Sequence, residues 1–317
     1  MPFDPYLVQQ FEHIKDFTSF DDAFSSPEGM ARYFQYSADP APWTMPAGVS
    51  TEDRSVDGPH GPIPVRIYRS AAASADAPGL LWMHGGAFMF GDLEMNESNV
   101  VSAELAHRAG AVVVAVDYRL AVGGVKYPVP LDDVVAAWTW LVESASGLGI
   151  DPARISIGGA SAGGNLATSA SMRIRDEGGT LPHAMLLAYP LVHFPVPSLE
   201  PEVAAEMLAL PPLLHFPVAF HEANLMNHLG RFTNVPAGIA PGNHALEGMP
   251  PAWIGVAEFD ELRPSGDLFA RQLESVGVAV QHHVVTGFVH GYLDRTPSVP
   301  AVDAELDFFA KALSEDA

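Results

Sequence analysis

The chain has 317 residues, of which 48% are hydrophobic and 17% charged, and this composition is typical of a globular protein with a sizeable core. Its 16 basic and 38 acidic residues give a formal net charge of −22, which disfavours nucleic acid and anionic membrane surfaces as partners. The chain contains no cysteine, which excludes disulfides, cysteine metal sites and a cysteine nucleophile.

The first 50 residues show neither a leader nor a strand pattern. They lack a basic segment followed by an apolar run, so we predict no secretory signal, and no stretch of the chain is apolar for long enough to predict a membrane span. We therefore expect a cytoplasmic protein. Aromatic residues at loose helical spacing, from Phe11 to Phe24, predict short helices here.

From about residue 54 onwards, predicted strands alternate with predicted helices. Ile63, Val65 and Ile67 alternate with other residues and predict a strand. Because Pro64 has no N–H, this strand should lie at a sheet edge or begin near Pro64. Short apolar runs predict strands at 79–83, 111–116, 184–189 and 253–257, and further strands are predicted at 154–157 and 278–285. Helical spacing predicts helices at 99–109, 132–145, 164–176, 265–276 and 302–313.

This alternation predicts an α/β fold, a mainly parallel sheet with helices on both faces. One segment interrupts it. Residues 193–250 lie between two predicted buried strands and are rich in Pro, His, Met and Phe, with only helical patches. Because the segment is far longer than a simple connection in a compact domain, we interpret it as an insertion that forms a lid or cap over the functional edge of the sheet.

The strongest motif is Gly159-Ala160-Ser161-Ala162-Gly163, a G-x-S-x-G sequence between a predicted strand and a predicted helix. The glycines suit a tight strand-to-helix turn that exposes the Ser161 hydroxyl, and the helix amino terminus favours negative charge beside it. The alternatives are a glycine-rich turn that contains a serine by chance, and a phosphate-binding loop. The second is disfavoured because no Gly-Lys-Ser/Thr follows.

A serine nucleophile needs a base, and in this motif the base follows the serine in the chain. His290 lies after the last predicted strand, between Gly287 and Gly291, which suit a bent loop. His282 and His283 are rivals, but they lie within the strand pattern and point to opposite faces of it. We therefore predict His290 as the base.

The base needs an acid that orients it, and Asp260 follows the preceding predicted strand. Glu258 and Glu261 are the alternatives. We predict Asp260 because Glu258 falls at the end of the strand and would point along the sheet face. Its role would be to hold the imidazole tautomer and to stabilise the imidazolium.

An oxyanion hole is predicted at the sequence HGGAF, residues 84–88, which directly follows the strand at 79–83. Small residues allow the backbone to approach a substrate, and backbone N–H groups stabilise a developing oxyanion. We predict three donors, the amides of Gly85, Gly86 and Ala162. The alternative interpretation of His-Gly-Gly is a plain turn.

Seven ordered motifs together resemble one known family. They are HGGAF at 84–88, DYRL at 117–120, YPVPLDD at 127–133, GGASAGGN at 158–165, YPL at 189–191, EFDELRPSG at 258–266 and FVHGY at 288–292. The chain is similar over nearly its whole length to the hormone-sensitive-lipase-like esterases (bacterial family IV) of the α/β-hydrolase superfamily.

The resemblance implies an eight-stranded, mostly parallel sheet with a helical cap. The cap would combine residues 1–50 with 193–250, and the hydrolase core would comprise residues 51–192 and 251–317. His84, Asp117 and Tyr118 would support the oxyanion loop. The resemblance also implies hydrolysis of short- to medium-chain acyl esters without a cofactor, and a homodimer formed through the edge of the last strand.

Three positions depart from the family pattern. Ala160 replaces the usual Asp before the nucleophile, which removes a local hydrogen-bond network but no triad residue. Ala87 replaces the commoner third Gly of the oxyanion motif and would narrow the pocket. After Leu120 the chain reads AVGGVKYP, so we expect a reshaped loop.

We therefore predict a serine carboxylesterase that uses Ser161, His290 and Asp260 and acts on small-molecule esters, with acetyl to hexanoyl esters preferred. No metal is expected, because the chain lacks His-Glu-x-x-His and other ligand clusters at metal spacing. An amidase or formamidase would use the same triad. A non-catalytic small-molecule receptor would have lost a triad residue. Cap side chains that would line the pocket, or simply pack the cap, are Phe17, Phe20, Phe34, Met207, Leu210 and Phe216.

Overall fold

The computed structural model describes residues 2–231 and 233–314. Its strands are Val49–Gly58 (β1), Gly61–Ser70 (β2), Ala77–Met83 (β3), Val112–Val116 (β4), Ile150–Ala160 (β5), Met185–Ala188 (β6), Ala252–Phe259 (β7) and Val280–Val289 (β8). They form one eight-stranded sheet in the order β1-β2-β4-β3-β5-β6-β7-β8. The β1–β2 and β2–β4 pairs are antiparallel and the other five pairs are parallel, as an α/β-hydrolase fold requires.

The helices are Pro5–Phe11 (α1), Phe20–Phe24 (α2), Pro27–Tyr36 (α3), Asn96–Ala109 (α4), Val129–Ser144 (α5), Ala162–Asp176 (α6), Pro201–Met207 (α7), Val218–Leu229 (α8), Arg263–Ser275 (α9) and Pro300–Ser314 (α10). They cover both faces of the sheet. In β3, Leu81 belongs to the same core cluster as Leu166 of α6. The preceding residue, Leu80, points to the other face and belongs to the same cluster as Phe309 of α10. Successive strand residues point to opposite faces, so β3 is buried on both sides and reads as a continuous apolar run.

The strand that contains Pro64 does not lie where an edge strand would. The edge strands are β8 and β1, and the sequence pattern did not predict β1 because its residues are mostly polar and only Val56 is buried. Pro64 lies in β2, which is an interior strand, so an edge position is wrong, whereas the alternative, a strand that begins near Pro64, is confirmed by its start at Gly61. The Pro64 carbonyl accepts from the Asp117 amide just beyond the end of β4, where a missing N–H breaks no ladder hydrogen bond.

Residues 193–250 lie between β6 and β7 and contain α7 and α8, while α1, α2 and α3 precede β1. The two regions touch where the ring of Phe20 stacks on that of Phe216, with centroids 6.4 Å apart. The division into cap segments 1–50 and 193–250 and core segments 51–192 and 251–317 stays a prediction, and residues 1, 232 and 315–317 of it lie outside the described residues.

Among residues 2–231 and 233–314, no helix is both long enough and apolar enough to cross a membrane.

Candidate active site

Ser161 occupies the turn between β5, which ends at Ala160, and α6, which begins at Ala162. Its backbone has φ 53° and ψ −111°, a conformation that non-glycine residues rarely adopt. The flanking glycines are required by close packing: a Cβ on Gly163 would lie 2.2 Å from the Met83 carbonyl oxygen. The turn is therefore pressed against the end of β3, and it presents the Ser161 side chain at the carboxyl edge of the sheet.

Ser161, His290 and Asp260 form a continuous hydrogen-bonded chain. His290 Nε2 lies 3.0 Å from Ser161 Oγ, and His290 Nδ1 lies 2.7 Å from Asp260 Oδ2. The three residues directly follow β5, β8 and β7, and because these strands are parallel their carboxyl ends meet at one edge of the sheet. The structure thus brings together the three residues predicted from sequence, in the geometry that a nucleophile, a base and an orienting acid need.

The carboxylate of Asp260 is fully buried and is held on both oxygens, since its Oδ1 accepts from the Leu262 amide at 2.8 Å. The alternative acids are placed differently. Glu258 accepts from the Gly287 amide at 2.7 Å, and Glu261 has no hydrogen bond to His290 in the described part of the chain.

The rival histidines have partners of their own, away from Ser161. His282 Nε2 lies 3.0 Å from Asp267 Oδ1, and His283 Nε2 lies 2.6 Å from Glu305 Oε2. Both therefore contact carboxylates of other elements and neither is hydrogen-bonded to Ser161 in the described part of the chain.

The electrostatics at His290 favour its protonated form. Burial acts to lower the pKa of His290, but the charge and the hydrogen bond of Asp260 outweigh burial and raise it above its ordinary value. An imidazole with a raised pKa accepts a proton from a hydroxyl more readily, because the imidazolium that forms is stabilised by the buried carboxylate.

The loop after β3 differs in one respect from the expected oxyanion hole. The Gly85 amide donates a 2.8 Å hydrogen bond to Oε2 of Glu97, a buried residue of α4. The prediction that Gly85 supplies an oxyanion donor is therefore wrong, because its N–H points at this carboxylate. Among the described residues, the amides of Gly86, Ala87 and Ala162 have no hydrogen-bond acceptor.

The backbone of this loop is strained at residues 86–88. Gly86, Ala87 and Phe88 have φ values of 95°, 53° and 62°, three successive residues in the left-handed region. Each of the two non-glycine residues costs about 1 to 3 kcal/mol in this conformation. Gly86 cannot be replaced, since a Cβ there would lie 1.9 Å from the Phe90 carbonyl oxygen.

Two of the predicted supporting residues contact this loop. The Tyr118 hydroxyl lies within hydrogen-bond distance of two carbonyl oxygens, that of His84 at 2.9 Å and that of Gly85 at 3.0 Å. The rings of His84 and Tyr118 stack with centroids 4.6 Å apart. Burial raises the pKa of the third, Asp117, while the nearby His84 acts to lower it. A supporting role for Asp117 stays a prediction.

Sequence reasoning missed Glu97 and His221, and it named Phe216 only as one of six cap side chains that line the pocket or pack the cap. Glu97 gave no distinctive signal, because an acidic residue in the first turn of a helix is common. Phe216 and His221 place their rings 6.4 and 5.8 Å from the His290 ring, centroid to centroid. Burial and the neighbouring His290 lower the pKa of His221 to about 4, so this imidazole is neutral at pH 7.

Within the described ranges, one group of potential metal ligands is compact. One ligand atom each of His221, Asp260 and Glu261 lie within 4.8 Å of one another. Both Asp260 oxygens already accept hydrogen bonds, from His290 and from Leu262, so a cation here would compete with the His290 contact. The expectation that no metal or cofactor is needed stays a prediction.

Comparison with known proteins agrees with this geometry. A family described as having an alpha/beta hydrolase fold matches residues 80–294. The chain is similar to esterase LipI of Mycobacterium tuberculosis, with 37% identity over 78% of this chain and 77% of the relative. Ethyl acetate hydrolase of Pseudomonas putida is 31% identical over 80% and 78% of the two chains. The crystal structure of DphMB1 superposes with a TM-score of 0.81 and 34% identity, over 98% of each chain.

Proposed function

Because this chain belongs to the hormone-sensitive-lipase-like esterases of the α/β-hydrolase fold and is a carboxylic ester hydrolase, we propose that it hydrolyses short- to medium-chain acyl esters by acyl transfer through Ser161. The observation that carries the proposal is the chain of two hydrogen bonds, 3.0 and 2.7 Å long, from Ser161 through His290 to Asp260.

In the first half-reaction the Ser161 oxygen attacks the ester carbonyl carbon and its proton passes to His290 Nε2. The carbonyl oxygen becomes an oxyanion, which the amides of Gly86, Ala87 and Ala162 stabilise as hydrogen-bond donors. The bond to the alcohol oxygen then breaks, and His290 returns its proton to the leaving alcohol. Asp260 stabilises the imidazolium while the proton resides on it.

In the second half-reaction a water molecule attacks the acyl-enzyme. His290 takes one proton from this water, a second oxyanion forms in the same position, and the proton returns to Ser161 as the carboxylic acid is released. Ala87 takes the place of Gly85 in this proposal, since the Gly85 amide is already bound by Glu97.

The proposed acyl range is supported by the surroundings of His290 and by a relative. Phe216 and His221 cover the base from α8 and the segment before it, which places aromatic surface beside the scissile bond. The name of one relative, ethyl acetate hydrolase, states a short acyl ester as its substrate. A series of p-nitrophenyl esters from acetyl to dodecanoyl should peak at or below hexanoyl, and a peak beyond about ten carbons would contradict this range.

Replacement of the nucleophile tests the mechanism directly. In Ser161→Ala we expect kcat for p-nitrophenyl butyrate to fall by more than about 10⁴-fold, because attack on the carbonyl is lost. Ser171→Ala is the matched control, a buried serine of α6 whose hydroxyl donates to the Ala167 carbonyl, and it should keep its activity. Hydrolysis by Ser161→Ala at the wild-type rate would refute the proposal.

A further inference from the structure

Glu97 is a buried acid beside the site that the mechanism above does not use. Its side chain is 3% exposed. Oε2 accepts from the Gly85 amide at 2.8 Å and Oε1 accepts from the Tyr189 hydroxyl at 2.6 Å. Its own carbonyl accepts from Trp82 Nε1 at 2.7 Å, so its backbone is anchored to the end of β3. A carboxylate with both oxygens bound and its backbone anchored has a single orientation.

The first oxygen of Glu97 holds the oxyanion loop. Gly85 directly precedes Gly86 and Ala87, whose amides are open, and it lies against the nucleophile: a Cβ on Gly85 would be 3.3 Å from Cβ of Ser161. The Glu97 contact fixes the peptide plane that precedes Gly85, and the Tyr118 hydroxyl, 3.0 Å from the Gly85 carbonyl oxygen, fixes the next plane, which also carries the Gly86 amide.

The second oxygen of Glu97 reaches the histidine side of the site. Tyr189 follows β6 with φ 37°, and its ring meets that of His290 edge to face, with centroids 4.8 Å apart. The Tyr189 hydroxyl also accepts from the amide of Leu293, three residues after His290, at 3.3 Å. Tyr189 therefore contacts both the base and the loop that carries it.

Resting on the proposed function, we propose that Glu97 is a positioning residue that fixes the oxyanion donors and the His290 loop relative to each other. One carboxylate binds a group on each side of Ser161, and neither contact touches the reacting atoms. Its negative charge also contributes to the raised pKa of His290, so the positioning role is tested through the oxyanion rather than through the base.

The main test is Glu97→Ala. A displacement of about 1 Å in a catalytic loop can cost about 10²-fold in rate, so we expect kcat to fall by about that factor while KM changes less than about threefold. Glu97→Gln keeps an acceptor for the Gly85 amide and should recover part of the loss. Tyr189→Phe removes the second contact and the hydrogen bond from the Leu293 amide but leaves the Gly85 contact, and it should give a smaller loss, of about tenfold or less.

The distinguishing readout is binding of a trifluoromethyl ketone analogue of the butyrate ester, whose hemiketal adduct with Ser161 carries an oxyanion. The inhibition constant of the ketone should rise by the same factor by which kcat/KM falls. The inhibition constant of the butyrate product should not change, since loss of oxyanion positioning affects only the transition state. The ratio of the two inhibition constants therefore reports on oxyanion positioning. Glu104→Ala is the matched control: it is a buried glutamate of the same helix that binds Trp43 and Arg108, and it should change stability but not this ratio.

The outcomes separate the two proposals. A wild-type protein that does not hydrolyse the ester overturns the proposed function and this inference with it. An active wild-type protein whose Glu97→Ala variant is folded, by circular dichroism, and within threefold of its kcat overturns the inference alone. If Glu97→Ala does not fold, the same ratio measured in Glu97→Gln and Tyr189→Phe decides, and an unchanged ratio in both overturns it.

Discussion

The two sides of the candidate site are held in place by different forces. On the sheet side, Ser161, His290 and Asp260 are joined by hydrogen bonds. On the α8 side, His221 Nε2 and both ring nitrogens of His228 are buried without a hydrogen-bond partner in the described part of the chain. These imidazoles are held by ring contacts instead: His228 stacks on Phe88 with centroids 4.3 Å apart.

This difference separates the reaction from the selection of the substrate. Proton transfer depends on distance and angle, which only directional hydrogen bonds restrain to a few tenths of an ångström. Ring contacts restrain shape and exclude water, and they tolerate exchange of one apolar group for another. We therefore expect substitutions on the sheet side to reduce kcat and substitutions on the α8 side to change KM.

After the loss of the nucleophile itself, the largest effect should come from Asp260→Asn on the sheet side. An amide in place of the buried carboxylate would favour the wrong tautomer of His290, so we expect kcat for p-nitrophenyl butyrate to fall by about 10⁴-fold with KM little changed. Asp267→Asn is the control, because Asp267 also binds a histidine, His282, but away from Ser161. Equal losses in the two variants would contradict the assignment.

A smaller effect is expected from Phe216→Ala, on the side that α8 covers. Phe216 packs against the rings of His290, Phe20 and Phe220, and its loss should raise KM by about tenfold, the scale of one apolar contact in a substrate pocket, while kcat changes less than threefold. The measurement is the pair of constants for acetyl and hexanoyl esters.

Phe34→Ala serves as the control for this variant, because Phe34 is 64% exposed and contacts only Tyr33 among the aromatic rings of the described residues. A kcat loss in Phe216→Ala as large as that in Asp260→Asn would abolish the proposed difference between the two sides.

The smallest effect concerns pH and arises at Glu261, which lies near both sides. Burial raises the pKa of Glu261 to about 7, and its negative charge contributes to the raised pKa of His290. The base must be neutral to accept a proton, so kcat/KM falls as pH drops through the pKa of His290. Glu261→Gln removes the charge and lowers that pKa.

The acid limb of the pH profile of Glu261→Gln should therefore move to lower pH, by less than about one unit. The exposed Glu274 on α9 provides a variant of equal net charge, Glu274→Gln, whose acid limb should coincide with that of the wild type. A shift to higher pH in Glu261→Gln would show that Glu261 does not act on His290 through its charge.

Much of the fold could be predicted from the sequence because the signals are local. Apolar runs and helical spacing predicted the parallel strands and the helices between them, since a strand buried on both faces cannot tolerate polar residues. The polar strand β1 could not be predicted this way, because an edge strand that is paired on one side needs no apolar pattern. The same reason explains the error at Pro64.

For the site, Ser161 and His290 were predictable because glycine-flanked turns after strands leave a distinct pattern in the chain. That pattern determines which residue types arrive at the edge of the sheet. The choice of Asp260 over Glu258 and Glu261 depends on which carboxylate meets His290 Nδ1, and this is decided by the pairing of β7 with β8.

The direction of the Gly85 amide depends on Glu97, twelve residues further along and on another element. The rings of Phe216 and His221 reach His290 only because the 193–250 segment packs against the site. The local sequence thus determined the reacting groups, since each lies in its own turn. Tertiary structure decided their orientation and what covers them, because a hydrogen bond or a ring contact between distant segments leaves no periodic trace in either one.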